Sequence, residues 1–156
     1  MRKIIPLLCT LFLLGCFSYN SEIEPNQFHR EFLLGLSMDE QVERFHEYDP
    51  ETQYELLIVG NQVVPPPAQY LAGAFAKQGK SIVPFLRAKL AAAKKELTVR
   101  DIVVVFCDMQ RLGTYDVKGD ASLIALVEER IATMQSDWKL TVQSIFEERV
   151  LGRSQR

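Results

Sequence analysis

The feature that most constrains the fold of this chain is a succession of helix start and stop signals along residues 37–152. The signals are the S-x-x-E capping box of Ser37 and Glu40, the Asp49–Pro50 pair, Asp120, Ser136 or Asp137, and glycines at positions 113 and 152. Apolar residues recur at helical spacing, as at Phe28, Phe32 and Leu33. The sequence therefore predicts an all-α domain over residues 28–152, built from stacked antiparallel helical hairpins or as an irregular helical bundle.

Residues 50–64 are compatible with two local structures. A β-hairpin could turn at Gly60 and Asn61, with apolar runs on either side. The N-cap signal of Asp49 and Pro50 and the poor alternation of polar and apolar residues favour a helix. The sequence Val-Val-Pro-Pro-Pro at 63–67 then ends it.

Residues 98–113 contain a β-branched run, Ile102–Val105, that would suit a strand. A start at Thr98, an end at Gly113 and a length of about fifteen residues favour instead a helix that is buried almost all round. The preceding segment, 81–97, is expected to be helical because Ile82, Phe85, Leu86, Leu90 and Ala93 share one stripe.

The N-terminal residues have the composition of an export signal. Arg2 and Lys3 precede Ile4–Leu14, in which Thr10 is the one polar side chain. A helix over this run would span about 16 Å, too short for a hydrocarbon core of about 30 Å. The length is typical of a signal-peptide h-region, and the basic start and polar exit disfavour the alternative of a buried core helix.

The end of this run, Leu13-Leu14-Gly15-Cys16, resembles the lipobox of bacterial lipoproteins. The resemblance implies cleavage between Gly15 and Cys16, diacylglycerol on the Cys16 sulfur and an acyl chain on its amino group. Two or three acyl chains form a durable membrane anchor without a spanning helix. The expected organisation is a signal peptide at 1–15, a lipidated tether at 16–27, one helical domain at 28–152 and a tail at 153–156.

The same resemblance carries an expectation about location. It implies a lipid-anchored protein on the periplasmic side of a bacterial membrane. Phe17 follows the cysteine where an Asp would signal retention, so the inner leaflet of the outer membrane is expected if the host has one.

Residues 80–113 resemble a HEAT-type helical repeat. In that family a proline lies in the first helix and a Val-Arg pair opens the second, as Pro84, Val99 and Arg100 do here. The short acidic turn before that pair is replaced by Ala-Ala-Lys-Lys-Glu-Leu, and residues 120–151 form a second predicted helical pair without these markers. The resemblance implies stacked helical pairs.

Motifs that carry catalysis are absent from the sequence, which contains no G-x-S-x-G, no glycine-rich phosphate loop and no H-E-x-x-H. We expect His29 and His46 to be exposed or capping residues, and the glutamate pairs 128–129 and 147–148 to lie on solvated faces. With Cys16 acylated, Cys107 is expected to be an unpaired, inert core thiol. The sequence thus predicts a protein that is not an enzyme, with no metal and no cofactor.

Charge is segregated along the chain. Residues 22–55 hold ten acidic and two basic side chains, whereas residues 77–100 hold one acid, Glu96, and seven bases. The bases are Lys77, Lys80, Arg87, Lys89, Lys94, Lys95 and Arg100. They predict either a surface for an acidic partner or anionic envelope component, or packing of the acidic segment on the basic one.

The overall charge bears on the class of partner. The whole chain carries −2, and a chain starting at Cys16 would carry −4. This argues against nucleic acid. The first hypothesis is therefore a lipid-anchored adaptor or scaffold for an unidentified protein partner. The alternatives are a toxin-immunity or hydrolase-inhibitor protein of the envelope and, with less support, an envelope enzyme whose site is not recognisable.

Overall fold

A computed structural model of the protein describes residues 21–153. In this range eight α-helices and no strand are present, which confirms the predicted all-α class. The helices are α1 (Gln27–Gly35), α2 (Met38–Phe45), α3 (Pro50–Gln62), α4 (Tyr70–Ala76), α5 (Val83–Ala92), α6 (Glu96–Leu112), α7 (Ala121–Ala132) and α8 (Trp138–Phe146). A 3₁₀ turn (Gly79–Ile82) precedes α5, and a π-helical turn (Glu147–Leu151) extends α8. The cleavage site at Gly15 and Cys16 lies outside the described residues.

Three of the predicted helix starts have the expected capping geometry. Ser37 and Glu40 form a reciprocal capping box at the start of α2. Asp49 accepts hydrogen bonds from the first backbone N–H groups of α3. The Oδ1 atom of Asp120 accepts the N–H of Leu123 at 3.0 Å in α7. These helix starts were predictable because cap and capped group lie within three residues of each other.

The C-terminal ends of α6 and of the final turn use glycine as predicted. Gly113 has φ +68° and Gly152 has φ +70°, both in the left-handed region that side-chain-bearing residues avoid. After Gly113, the N–H of Thr114 donates to the carbonyl of Met109, which closes the last turn of α6.

Residues 50–62 form a helix, so the hairpin alternative is excluded. The helix ends before the three prolines at 65–67. Beyond them the chain packs against α3, where the N–H of Ala68 donates to the carbonyl of Gly60 at 2.9 Å. A β-carbon at Gly60 would lie 2.9 Å from that of Ala68 and 3.1 Å from Leu33 Cδ2. The absence of a side chain at Gly60 thus allows the 63–69 connection and α1 to pack directly on α3.

The expected start of α6 at Thr98 is wrong. The helix begins at Glu96, and Thr98 is fully buried within its first turn. The N-cap residue, Lys95, supplies no capping side chain. A carboxylate from Glu22 instead accepts the N–H groups of Lys94 and Lys95, each at 2.9 Å. The capping group lies more than seventy residues away, so no local pattern marks this helix start.

The centre of the bundle is α6, which contacts α3, α4, α5, α7 and α8. Most of its apolar side chains are completely buried, as the sequence predicted for this segment; they include Ile102, Val103, Val105, Phe106 and Met109. The alanines of α4 have little or no exposure, and their small size lets α4 pack closely against its neighbours, which include α6.

The C-terminal half contains two packed pairs of consecutive helices. α5 packs on α6 and α7 on α8, while α5 also contacts α7 and α6 contacts α8. Pro84 lies in the first turn of α5, and Val99 is buried near the start of α6. α8 follows Asp137, which makes no side-chain cap; the hydroxyl of Ser136 accepts the N–H of Trp138 at 3.3 Å.

Candidate functional site: a groove between α2, α4 and α6

The candidate site is a groove that lies where α2, α4 and the C-terminal end of α6 meet. Its volume is about 330 Å³. The side chains that line it include Val42, Tyr70, Lys77, Asp108, Arg111 and Leu112. The lining thus combines apolar and charged side chains, and Leu112 remains about two-fifths exposed. A groove of this kind can accept an extended or helical segment of another protein.

A buried hydrogen-bond network fixes the wall that α2 and α4 share. The hydroxyl of Tyr70 donates to Oε1 of Gln41, which is itself buried. The Gln41 amide donates in turn to the carbonyls of Leu33 and Leu36 at the end of α1. Burial raises the pKa of Tyr70, so its hydroxyl remains a donor at physiological pH. α1, α2 and α4 are thereby held in one arrangement beside the groove.

The charges of the groove are predominantly basic on the solvent side. Nε of Arg111 donates to Oδ1 of Asp108 at 3.1 Å. The Asp108 side chain is mostly buried, whereas that of Arg111 is 56% exposed. Lys77 is also exposed, and its ammonium makes no ion pair with any residue of 21–153. The rim therefore presents two accessible cations and one shielded carboxylate.

Most of this site was not predicted from the sequence. Lys77 was identified as part of the basic segment, but Tyr70, Asp108 and Arg111 were not. The three-residue spacing of Asp108 and Arg111 on one helix is a local signal that could have indicated their ion pair. No sequence pattern places Tyr70 opposite them, because that proximity results from the packing of α4 on α6.

A second groove, of about 280 Å³, lies between α7 and α8. Its floor is apolar, with Ile131 and Phe146, and its rim includes Glu128, Lys139 and Glu147. Two carboxylates and one ammonium border it, whereas two cations and one carboxylate border the groove between α2, α4 and α6, so the two grooves suit partners of opposite charge. The wall of the groove between α2, α4 and α6 is fixed by the hydrogen bond from Tyr70 to the buried Gln41, which makes it the better candidate.

A buried polar cluster joins α3 to the N-terminal half of α6. Arg100 donates through Nε and Nη2 to Oδ1 of Asp101, at 2.9 and 2.7 Å, and the Gln62 amide donates to Oδ2 at 2.8 Å. Burial raises the pKa of Asp101, although the neighbouring Arg100 acts in the opposite direction. Arg100 also lies over the ring of Trp138 in α8, 4.7 Å from its centroid. Both carboxylate oxygens have partners within the chain, so the cluster joins α3, α6 and α8.

The seven basic residues of segment 77–100 do not form one free surface. Four have partners in the chain: Arg87 pairs with Asp120, Lys89 with Glu51, Arg100 with Asp101, and the ammonium of Lys95 donates to the carbonyl of Ser21. Within the described range, the ammonium groups of Lys77, Lys80 and Lys94 make no ion pair.

Part of the acidic segment packs on the basic one. Glu51 pairs with Lys89, whose ammonium also lies 4.6 Å from the ring centroid of Tyr54. Glu22 binds the backbone at Lys94 and Lys95. These contacts correspond to the alternative in which the two oppositely charged segments neutralise each other.

The two histidines lie in different environments. His29 caps α1, since its Nδ1 accepts the N–H of Asn26 at 3.2 Å, but its side chain is buried rather than exposed. Its Nε2 lies 3.4 Å from a Glu55 carboxylate oxygen, at ion-pair distance but without hydrogen-bond geometry. His46 is exposed at the end of α2. Across residues 21–153, no three His, Cys, Asp or Glu side chains are grouped so that they could hold a metal ion.

Cys107 lies in the buried centre of α6. Burial raises the pKa of its thiol to about 12, which keeps it protonated. The thiolate is the nucleophilic form, so the position is unsuited to catalysis or ready oxidation.

Comparison with known proteins identifies no relative. No protein family, no curated protein and no solved structure matches the chain. No helix within residues 21–153 is both long and apolar enough to cross a bilayer. The resemblances to bacterial lipoproteins and to HEAT-type repeats therefore stay predictions from the sequence.

Proposed function

We propose that this protein is a lipid-anchored, non-enzymatic adaptor of a bacterial envelope, and that the groove between α2, α4 and α6 binds a protein partner. The lipobox-like residues that end at Cys16 support the anchor. The partner segment that fits the groove carries apolar side chains flanked by at least one carboxylate. In a bacterium with an outer membrane, the anchor is placed in its inner leaflet.

The observation that carries the partner assignment is the pairing of exposed cations with apolar surface in the groove. Lys77 and Arg111 lie beside the apolar side chains of Val42 and Leu112. Among residues 21–153, the one carboxylate that lines this groove is that of Asp108, and it accepts a hydrogen bond from Arg111. An acidic partner gains electrostatic steering from the two cations, and its apolar residues gain burial against the groove floor.

The position of the groove along α6 suits an adaptor. Glu22, next to the tether, contacts the backbone of Lys94 and Lys95 just before α6, whereas Arg111 and Leu112 lie at the opposite end of the helix. The fifteen helical rises from Glu96 to Arg111 correspond to about 22 Å. A partner in the groove is therefore bound well away from the segment that leads to the membrane.

Site-specific photo-crosslinking in living cells tests the groove. We expect a photoreactive phenylalanine analogue at Leu112 to yield a defined crosslinked product. The same analogue at Leu140, which is 74% exposed on α8 outside the groove, should not yield it. Lys77→Glu should reduce the Leu112 product, whereas Lys118→Glu, a charge reversal at an exposed residue outside the groove, should leave it unchanged. Equal crosslinking from both positions, or indifference to Lys77→Glu, would contradict the assignment.

Metabolic labelling with a radioactive fatty acid tests the anchor. We expect the wild-type protein to be labelled and Cys16→Ala to be unlabelled and to accumulate as an uncleaved precursor. Cys107→Ala is the matched control, because it also removes one thiol but leaves the lipobox intact. Label that persists in Cys16→Ala would show that the anchor assignment is wrong.

A further inference from the structure

The first described residues of the chain are fixed to the turn between α5 and α6, residues 93–95, which we name the α5–α6 turn. One carboxylate oxygen of Glu22 accepts the N–H groups of both Lys94 and Lys95, at 2.9 Å each. The ammonium of Lys95 donates to the carbonyl of Ser21. Three hydrogen bonds thus connect residues 21–22 to the α5–α6 turn, although more than seventy residues separate the two segments in sequence.

We propose that these contacts clamp the tether and hold the domain with its α5–α6 turn facing the lipid headgroups of the membrane. This inference rests on the proposed lipid anchor at Cys16. Four residues lie between Cys16 and Ser21, and the five Cα–Cα steps of a fully extended chain cover at most about 18 Å. Because the Lys95 side chain donates to the Ser21 carbonyl, the α5–α6 turn is kept within about 30 Å of the acylated residue, whichever path the intervening chain takes.

The charges around the α5–α6 turn favour an anionic lipid surface. Lys94 is exposed, with no ion pair among residues 21–153, and Arg130 of α7 donates to the carbonyl of Ala93. The nearby carboxylates of Glu22 and Glu96 accept backbone N–H groups within the domain, those of Glu96 from Gln135 and Ser136. The turn is thus surrounded by three cations, Lys94, Lys95 and Arg130, and by two carboxylates whose oxygens accept hydrogen bonds from the protein backbone. Cations near a bilayer are attracted to anionic headgroups over about one Debye length.

The orientation is measurable with the mature lipoprotein purified in detergent and reconstituted into phosphatidylethanolamine–phosphatidylglycerol vesicles. The Cys16 thiol is blocked by acylation and Cys107 is buried, so an added exposed cysteine is labelled selectively. A fluorophore is attached in Ala92→Cys, beside the α5–α6 turn, or in Lys118→Cys, whose backbone N–H contacts Gln110 near the far end of α6. Quenching by a headgroup-attached nitroxide lipid then reports how close each position lies to the bilayer.

We expect quenching at Ala92 to exceed that at Lys118 about threefold or more, because the two positions lie about 20 Å apart along α6. Glu22→Ala should bring the ratio close to one, while Glu22→Gln, which keeps an acceptor oxygen, should retain most of it. Circular dichroism verifies that the helices persist in each variant.

Two failures are distinguishable. Acylated, vesicle-bound protein with equal quenching at both positions, or with a ratio that Glu22→Ala leaves unchanged, overturns the clamped orientation alone. Protein without acyl mass on Cys16 overturns the proposed anchor and this inference with it.

Discussion

Nη1 of Arg87 lies 3.0 Å from Oδ2 of Asp120, and this ion pair joins α5 to the N-terminal end of α7. The same Oδ2 atom accepts the hydroxyl of Tyr115 at 2.7 Å, while Oδ1 caps α7 and accepts the hydroxyl of Ser122. The hydrogen bond from Tyr115 is the largest cause that holds the pKa of Asp120 well below its usual range. One carboxylate therefore stabilises a helix start and the packing of two helices.

Acid titration should reveal the contribution of Asp120. Its pKa is lower in the folded than in the unfolded state, so its stabilisation is present above the unfolded value of 3.8 and is lost as the pH falls below it. We expect Asp120→Asn to lower the free energy of unfolding by about 1–2 kcal/mol at pH 7, with a smaller difference near pH 2. Urea denaturation at several pH values measures it. Asp137→Asn is the control, since Asp137 makes no capping bond, and a pH-independent deficit in Asp120→Asn would contradict the assignment.

Removing the carboxylate at the centre of the buried cluster should be costly. Asp101→Ala leaves the mostly buried Arg100 and the fully buried Gln62 without their partner, so we expect a loss of about 3 kcal/mol. The double variant Arg100→Met with Asp101→Leu should lose less, because it leaves no unpaired charge. Thermal unfolding measures the stability of the two variants. A double variant as unstable as the single one would show that the unpaired charge of Arg100 is not the cause of the loss.

Two glycines in helices should respond oppositely to alanine. At Gly60 the added carbon meets Ala68 at 2.9 Å, and overpacking of this kind costs about 1–3 kcal/mol, more than the helix-propensity gain of about 1 kcal/mol. At Gly73 the nearest atom, Oδ2 of Asp108, lies at an ordinary contact distance of 3.8 Å. We therefore expect Gly60→Ala to lower the melting temperature and Gly73→Ala to raise it. A higher melting temperature in both variants would show that the 63–69 connection shifts to accommodate the added β-carbon at position 60.

The thiol of Cys107 should be unreactive until the domain unfolds. A pKa of about 12 in place of 9.0 lowers the thiolate fraction at pH 8 about a thousandfold, and burial excludes the reagent as well. In the variant Cys9→Ser with Cys16→Ser, which leaves Cys107 as the one thiol, we expect negligible reaction with a disulfide reagent in buffer. Full reaction should follow in denaturant, and rapid reaction without denaturant would show that the centre of α6 is accessible.

The boundaries that the sequence predicted correctly are those with local causes. Ser37 with Glu40, Asp49 and Asp120 each cap a group within three residues, and Gly113 supplies a backbone conformation that its own lack of a side chain permits. Such interactions depend on residue identity and spacing alone. They could therefore be identified before any tertiary contact was known.

The start of α6 has no local cap, and the carboxylate of Glu22 binds the backbone just before it. At α8 the predicted residue Ser136 accepts the N–H of Trp138, and Glu96, the first residue of α6, adds a distant contact with the backbone N–H groups of Gln135 and Ser136. The prediction that α6 starts at Thr98 was wrong because Thr98 is buried within the first turn of that helix. Capping of this kind becomes predictable only when the packing of the whole chain is known.

The sequence by itself determined the helical class and most helix boundaries, and it predicts lipidation of Cys16. Tertiary structure alone decided which charges are free. It paired Lys89 with Glu51 and Arg87 with Asp120, and left Lys77 exposed beside Arg111 in a groove. Charge and periodicity are properties of single residues and their neighbours in sequence. A groove or an ion pair between helices depends on distances that only the packed chain sets.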